Sequence, residues 1–358
     1  MRIGIIGGAG RMGGWFARFF AHEGYDVLIA DPVSSGTLTN AQVIESSDVV
    51  LFALPLRETA KVIEKLAPLG RKNQLWMDVT SIKREAVKAA LLSKAEVLSI
   101  HPMFAPTFPS MHGQTVIVTP ARVSEEKQAW FMGLLKKHNA KIKIADADTH
   151  DRWMATIQGF THFSAITAAK TLRDSGFDIA ESLQFTSQVY RLRIALIARV
   201  MQQNPELYAD IQLENDLLPE ILDHYLEASE ELYHIVRTYD REAFIEYFKE
   251  AGEYFTESLK NKKGGDAFEE TNALIQLLAD LTDDNTVRIE AAADRAGLLQ
   301  DLLTVFSKHN ISLTSIHSIR TTQDGFAFHI GLDRSNTDPE IKKVKDELSQ
   351  QFGVSFLA

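Results

Sequence analysis

The stretch Gly7-Gly8-Ala9-Gly10-Arg11-Met12-Gly13 decides the fold of the first part of the chain, because it carries the pattern GxGxxG between a strand and a helix. The apolar run at residues 2–6 is too short for a helix and predicts a buried strand. Aromatic residues recur at helical spacing after the glycines, and Gly24 is placed to end that helix. This order of strand, glycine-rich turn and helix is typical of a dinucleotide-binding unit.

The glycines of the pattern have separate roles in such a turn. Gly8 allows the tight turn, Gly10 lets the backbone approach a pyrophosphate, and Gly13 lets the helix pack closely on the strand. The helix opens near Arg11 and Met12, so its unpaired N–H groups would point at the phosphates. We therefore expect these five residues to bind the cofactor.

Asp31 indicates which dinucleotide is bound. It ends the second predicted strand, 18 residues after Gly13, where a carboxylate would hydrogen-bond the ribose 2′-hydroxyl of NAD. The same carboxylate would repel the 2′-phosphate of NADP, so NAD is the predicted cofactor. Ser34, Ser35 and Thr37 keep a phosphate-binding alternative open.

The composition narrows the class of protein. A net charge of −10 argues against nucleic acid as a partner, since phosphate binding needs clustered Lys and Arg. The absence of cysteine excludes disulfides and thiolate catalysis, and the histidines lack the spacing of a metal site. No apolar segment is long enough to span a membrane, and the chain begins directly with a core strand. We expect a cytoplasmic protein without a signal peptide.

The pattern of elements predicts an α/β chain with three domains. Residues 1–145 alternate strands and helices and predict an NAD-binding Rossmann domain. Residues 146–283 are helical and more apolar than one small subunit needs, which predicts a substrate and dimerisation domain that forms a homodimer. Residues 284–358 follow the order βαββαβ of a ferredoxin-like fold.

Three predicted strands of the first domain end at residues of chemical interest. These are Leu54-Pro55, Thr80-Ser81 and His101-Pro102. Ligands of open parallel sheets bind just beyond the carboxyl ends of the strands, so we expect Leu54 and Pro55 to contact the cofactor. Ser81 could cap a helix, contact the substrate, or do both. His101 directly follows its predicted strand and is the best candidate among 11 histidines for a proton acceptor.

The helical domain offers further candidates. His162 lies four residues after Gln158 on one helical face, where a hydrogen bond to a neighbour is the alternative to ligand binding. Arg199 interrupts an apolar stripe that should be buried, so it needs an anionic partner. That partner is either Glu214 or a substrate carboxylate. Arg191 is nearer the start of the helix and is expected to be exposed or to join a network at the rim.

Several motifs in this order resemble the prephenate dehydrogenases of tyrosine biosynthesis over nearly the whole chain. Besides the glycine-rich turn, the resemblance rests on residues 78–83, 101–104, 150–163 and 190–211. The closest likeness is to bacterial proteins that also carry a chorismate mutase. Because no mutase precedes Met1, we expect no mutase activity. Ala105-Pro106-Thr107 departs from the glycine that many relatives carry there, which leaves the shape of the pocket lip open.

The resemblance implies roles for the candidate residues. His101 would accept the proton of the ring hydroxyl of prephenate, and Ser81 would help to place that hydroxyl and His101. Arg199 would pair with the ring carboxylate, His162 would line the pocket and Arg191 would support it. The implied reaction is the NAD-dependent oxidative decarboxylation of prephenate to 4-hydroxyphenylpyruvate.

The last domain resembles an ACT domain, a regulatory module that binds amino acids. The resemblance implies an effector site near Asp294, Ala296, Gly297, Asn310 and Ile311, usually at an interface between two such modules. Pathway logic favours tyrosine as a feedback inhibitor.

Three other functions remain open at this point. Arogenate could replace prephenate as the substrate. A β-hydroxyacid dehydrogenase or imine reductase would share the architecture, but these enzymes typically use a helical lysine or another donor, and no lysine lies between Lys143 and Lys170. An NAD-binding amino-acid sensor would need neither the proton acceptor His101 nor the buried charge of Arg199.

Overall fold

A computed structural model describes residues 1–33, 38–259, 267–281, 285–291, 295–320 and 325–357. The chain forms two compact units, one made of Met1–Gly176 and Ile197–Asp240 and the other of Phe177–Leu196 and Arg241–Ala358. Ser34, Ser35, Thr37 and Asp294 lie outside the described residues. The predicted domain limits at 145/146 and 283/284 stay predictions.

The first unit is built on a sheet of seven strands in the order β2-β1-β3-β4-β5-β6-β7. The strands are β1 (Arg2–Ile6), β2 (Asp26–Ala30), β3 (Val49–Phe52), β4 (Leu75–Asp78), β5 (Glu96–Pro102), β6 (Thr115–Arg122) and β7 (Lys141–Ile144). Neighbouring strands are parallel except β5 and β6, which run antiparallel. The carboxyl ends of β1, β3, β4 and β5 therefore share one edge, which is the edge expected to bind ligands.

Helices cover both faces of this sheet. They are α1 (Arg11–His22), α2 (Asn40–Ser46), α3 (Leu56–Leu66), a 3₁₀ turn (Ala67–Leu69), α4 (Arg84–Leu91) and α5 (Glu125–Lys137). Alternate residues of each central strand enter two separate cores: Ile5 and Leu51 pack with α1 and α5, whereas Ile6 and Phe52 pack with α2, α3 and α4. Burial on both faces explains why these strands are continuous apolar runs. The Rossmann prediction is confirmed.

The glycine-rich turn has the predicted shape with one role reassigned. Gly7, not Gly8, has the left-handed backbone (φ 86°) that makes the tight turn, and a Cβ there would lie 2.4 Å from the carbonyl oxygen of Ala53. Gly8 is needed for packing, since its Cβ would meet Ile29 of β2 at 2.6 Å. A Cβ on Gly13 would lie 2.1 Å from the carbonyl oxygen of Gly7, as the close packing of helix on strand requires.

A helical region follows the sheet. It comprises α6 (Ala147–Met154), a π-helical segment (Ala155–Phe160), α7 (Thr161–Asp174), α8 (Ile179–Ser182), α9 (Gln188–Met201), α10 (Pro205–Leu213), α11 (Leu218–Thr238), α12 (Arg241–Leu259) and α13 (Ala267–Leu281). In the described residues, no helix is both long and apolar enough to cross a membrane. His150 lies within α6 and His162 in α7, so the π-helical segment separates the two histidines along the chain.

The C-terminal part has the predicted order βαββαβ. Its elements are β8 (Thr286–Ala291), α14 (Leu298–Lys308), β9 (Leu313–Arg320), β10 (Phe326–Leu332), α15 (Pro339–Phe352) and β11 (Ser355–Leu357). The sheet is antiparallel in the order β11-β8-β10-β9, and α14 and α15 share one core with it. The ferredoxin-like prediction is confirmed.

Candidate active site

The start of α1 offers backbone donors for a pyrophosphate. Gly10 is the N-cap of α1, and no side chain caps the helix. The first helical residues, Arg11 and Met12, therefore present the N–H groups that an anion would accept. Leu54 packs beside the turn, since a Cβ on Gly7 would lie 3.1 Å from its side chain, and Pro55 follows it as the N-cap of α3.

Asp31 is linked to the same turn. Its Oδ2 accepts the backbone N–H of Ala9 at 3.0 Å, and its Oδ1 accepts that of Val33 at 3.0 Å. The carboxylate is thus fixed at the end of β2, beside the glycine-rich turn, where a ribose of a bound dinucleotide would lie. The residues present fit NAD.

His101 lies inside a strand rather than after it. β5 extends to Pro102, and His101 pairs with Ile117 of the antiparallel strand β6. The prediction that His101 follows its strand is therefore wrong: pairing with an antiparallel neighbour extends the strand through His101 and Pro102. The result is a histidine held by strand pairing and almost completely buried.

A chain of hydrogen bonds fixes the ring of His101. Its Nδ1 lies 2.9 Å from Nε2 of His150, and Nδ1 of His150 lies 2.7 Å from Oδ1 of Asp151. A carboxylate only accepts, so His150 donates from Nδ1 and accepts at Nε2. His101 must then donate from Nδ1, which leaves the lone pair on its Nε2 to accept a proton.

Charges and burial keep this pair of histidines neutral. Burial lowers the pKa of His101 well below its ordinary value, and the neighbouring His150 and Lys83 lower it further. Burial also lowers the pKa of His150, although the hydrogen bond to Asp151 opposes this. A neutral His101 is a proton acceptor at neutral pH.

Asp151 also caps α4. Its Oδ1 accepts the backbone N–H of Lys83 at 2.7 Å, and its Oδ2 accepts that of Arg84 at 2.9 Å. The N-cap position belongs to Lys83, so the alternative that Ser81 caps this helix is wrong. Ser81 lies half-buried in the bend before α4, and its hydroxyl makes no hydrogen bond within the described residues.

Beneath His101 lies a fully buried ion pair. Nζ of Lys83 donates to Oδ1 of Asp78 at 2.8 Å, to the carbonyl oxygen of Ile100 at 2.6 Å and to Oγ1 of Thr80 at 3.2 Å. Burial alone would raise the pKa of Asp78, but the charge and hydrogen bond of Lys83 hold it below its ordinary value. All three ammonium protons have acceptors, so the buried charge is compensated.

The rest of the candidate pocket lies on the helices. The ring of His162 is 4.5 Å from that of Tyr208, and burial raises the pKa of Tyr208 although the nearby Arg199 lowers it. Burial lowers the pKa of His162, and its Nδ1 is buried without a partner among the described residues. Nε2 of Gln158 reaches Nε2 of His101 at 3.4 Å. His162, Tyr208 and Arg199 thus form one group, and Gln158 touches the histidine chain.

The predicted burial of Arg199 is wrong for the single chain. Arg199 is exposed, Leu196 of the same stripe is 56% exposed, and Arg199 forms no ion pair with Glu214 in the part of the chain that the structure describes. The guanidinium of Arg199 is therefore accessible to a ligand in the single chain. Arg191 is half-buried, with its Nε lacking a partner in the described part.

The four predicted effector residues that the structure describes lie beyond opposite ends of α14. Ala296 and Gly297 precede α14, whereas Asn310 and Ile311 follow it. At about 1.5 Å per residue, the 11-residue helix separates the two groups by about 16 Å. A single site made from both groups needs a second copy of the domain.

Several residues of the site were missed from the sequence as participants. They are Lys83, His150, Asp151, Gln158 and Tyr208. Each stood inside a motif that the resemblance used, but their roles depend on contacts between distant elements. Among the described residues, no group of three or more His, Asp or Glu is arranged to hold a metal.

The sheet, the glycine-rich turn and Asp31 define a dinucleotide-binding protein of the dehydrogenase class. Models of the prephenate dehydrogenase nucleotide-binding domain, the prephenate dehydrogenase dimerization domain and the ACT domain match residues 34–144, 146–250 and 285–351. The chain is 36% identical over 278 residues to a probable arogenate/prephenate dehydrogenase of Methanocaldococcus jannaschii, covering 73% of this chain and 62% of that protein. It is 33% identical over 259 residues to the T-protein of Haemophilus influenzae, covering 71% of this chain and 67% of that protein.

Solved structures share the fold. A prephenate dehydrogenase from Aquifex aeolicus in complex with hydroxyphenyl propionate and NAD⁺ superimposes with a TM-score of 0.57 at 18% identity, over 72% of this chain and 98% of that one. Synechocystis arogenate dehydrogenase gives a TM-score of 0.56 at 17% identity, over 72% of this chain and all of that one (100%). The chain belongs to the prephenate dehydrogenase family. The predicted combination of Rossmann, helical dimerisation and ACT domains is confirmed.

The buried ion pair gives a stability prediction that is independent of function. Lys83→Met leaves the carboxylate of Asp78 buried without a counterion, and we expect it to lower the free energy of unfolding by about 3–5 kcal/mol. Lys88→Met removes an exposed lysine beside Glu85 and should change it by about 0.5 kcal/mol or less. Urea unfolding measures both variants.

A double variant separates charge from packing. Asp78→Leu combined with Lys83→Met removes both charges and should recover most of the lost stability, since apolar pairs often replace buried ion pairs without loss. Equal stability of Lys83→Met and Lys88→Met would contradict a compensated charge at this position.

Proposed function

We propose that the chain is an NAD-dependent prephenate dehydrogenase. The observation that carries the proposal is the lone pair on Nε2 of His101, fixed by His150 and Asp151 at the ligand-binding edge of the sheet. In the proposed reaction the ring carbon of prephenate gives a hydride to the nicotinamide, carbon dioxide leaves, and 4-hydroxyphenylpyruvate forms. NAD supplies the hydride acceptor when it is bound.

The protein has a limited task in this reaction, because formation of the aromatic ring drives it. His101 accepts the proton of the ring hydroxyl at Nε2, and His150 holds the imidazole in the tautomer that can do so. Ser81, in the bend between β4 and α4, helps to place the hydroxyl and His101. Orientation of donor and acceptor supplies the rest of the rate.

We assign the carboxylate of the ring to Arg199. Its guanidinium is exposed and has no ion-pair partner among the described residues, so it offers two N–H donors in the geometry of a carboxylate. Tyr208, which feels the charge of Arg199, and His162, whose ring lies 4.5 Å from that of Tyr208, line the same pocket.

The cofactor site follows from the turn. Gly10 brings the backbone to the pyrophosphate, and Gly8 and Gly13 allow the close packing that holds the turn in place. The N–H groups of Arg11 and Met12 are the donors, and Leu54 and Pro55 line the adjoining strand end. Asp31 is our basis for preferring NAD to NADP.

We also propose two partners, a second copy of the chain and tyrosine. A homodimer is supported by apolar side chains that the helical region leaves exposed, such as Phe185, Tyr233, Phe248 and Tyr254. Tyrosine is the proposed effector of the ACT domain, bound where Ala296 and Gly297 of one copy meet Asn310 and Ile311 of another. The cytoplasmic location expected from the sequence stays a prediction.

Arogenate is the second candidate substrate, because the Methanocaldococcus relative is named for both compounds. Arogenate carries an amino group in place of the side-chain keto group and reacts by the same chemistry. We expect NADH formation from NAD with prephenate, and suppression of it by tyrosine, in an absorbance assay of the purified chain. Turnover with arogenate alone would change the substrate and keep the mechanism, whereas NAD binding without turnover of either compound would favour the sensor.

The lowered pKa of His101 sets the pH dependence. Because burial holds the pKa of His101 well below the ordinary histidine value, kcat/KM should stay level through neutral pH and fall only well below about pH 6.5. His101→Asn should lower kcat by about 10²–10⁴-fold and remove this acid limb, with the Kd for NAD unchanged. His138→Asn, a histidine paired with Glu23 away from the site, is the control. Wild-type turnover of His101→Asn would refute its assignment.

Arg199 is tested through the substrate rather than the cofactor. Arg199→Ala removes the carboxylate partner and should raise the KM for prephenate by about tenfold or more, the effect of a lost charged hydrogen bond. Arg193→Ala, an exposed arginine on the same helix, should keep the wild-type KM. Steady-state kinetics with both variants decides the assignment, and equal KM values would remove Arg199 from the pocket.

A further inference from the structure

Gln158 lies in the π-helical segment Ala155–Phe160, between the helices that carry His150 and His162. Short π-helical segments are rare and occur frequently at functional sites. The backbone of this segment is fixed at Gly159, the residue after Gln158, by two contacts. Nε2 of Gln212 donates to the carbonyl oxygen of Gly159 at 2.9 Å, and a Cβ on Gly159 would lie 2.7 Å from Leu218. The backbone beside Gln158 is therefore fixed.

The side-chain amide of Gln158 is held much less firmly. Its Nε2 lies 3.4 Å from Nε2 of His101, a long hydrogen bond. Its Oε1 is buried and has no hydrogen-bond partner among the described residues. Buried amide oxygens are normally paired, so an unpaired one that is not anchored elsewhere leaves the amide free to turn.

The amide also fits the direction of the histidine chain. Asp151 accepts from His150, His150 accepts from His101, and Nε2 of His101 is left to accept. The amide nitrogen of Gln158 has only hydrogens to offer, so it donates to this lone pair. The nitrogen that must accept the substrate's proton is thus covered by Gln158 in the structure.

We propose that Gln158 is a further substrate-contacting residue, whose amide covers the proton-accepting nitrogen of His101 until the substrate hydroxyl displaces it and then donates to the oxygen of that hydroxyl. The inference rests on the proposed function for the identity of the hydroxyl. The hydroxyl proton passes to His101, and the oxygen, which becomes electron-rich as the proton leaves, keeps the amide N–H as its donor. Gln158 moves no proton itself; it exchanges one hydrogen-bond acceptor for another.

Two substitutions test the proposal in the full chain with NAD. Gln158→Met keeps the length of the side chain and removes the amide, so kcat/KM for prephenate should fall about tenfold, the effect of one hydrogen bond, with the Kd for NAD unchanged. Gln158→Glu places a carboxylate beside His101 and should raise the pKa of its imidazole by about one unit, because the imidazolium gains a counterion. The acid limb of kcat/KM should move to higher pH by the same amount. Gln128→Met, a half-buried glutamine on α5, is the matched control and should behave as wild type.

The pKa of His101 is read directly by NMR titration of histidine-labelled protein, with its signal assigned by its loss in His101→Asn. A tenfold loss in Gln158→Met without any shift in Gln158→Glu would show a structural role only and overturn the proposal, as would wild-type kinetics in both variants. A wild-type chain that fails to oxidise prephenate would refute the proposed function. The NMR titration would then still decide the contact: an unshifted pKa in Gln158→Glu overturns it, and a raised pKa supports it.

Discussion

The candidate site depends on the hydrogen bonds that the carboxylate of Asp151 accepts. It is almost completely buried and accepts three N–H groups, from the backbone of Lys83 and Arg84 and from the ring of His150. Two of these donors begin helix α4, where the helix dipole favours a negative charge. The third holds the histidine that orients His101. One carboxylate therefore ties the first helix of the helical region to the sheet and fixes the tautomer of the proposed base.

Local sequence patterns are enough to predict the dinucleotide half of the molecule. The roles of Gly10 and Gly13 follow from backbone sterics within a few residues, and strands buried on both faces appear as apolar runs. Even here, the tight turn belongs to Gly7, because the carbonyl of Ala53 on the neighbouring strand decides where a Cβ cannot fit. The sequence pattern predicts that a turn is present, and the tertiary contact determines which glycine takes which role in it.

The proton-handling half could not be predicted in the same way. His101, His150 and Gln158 come together only because β5 gains an antiparallel neighbour and because a π-helical segment interrupts the helix. Neither feature produces a periodic pattern of apolar residues that could be recognised in the sequence. The prediction that the stripe around Arg199 is buried is wrong for a related reason. An apolar face on a helix predicts that another surface covers it, but that surface need not belong to the same chain.

Burial is the main reason that His101 and His150 are neutral, and two buried charges of opposite sign act on the pair as well. Asp151 favours a proton on His150, and a protonated histidine pair could not accept a proton from a substrate. Lys83 disfavours a proton on both histidines, while Asp78 compensates its charge. A buried lysine that looks purely structural thus also keeps the proposed base available. The same motif, residues 78–83, therefore serves stability and chemistry together, since the ion pair that the fold must compensate is also the field in which His101 titrates.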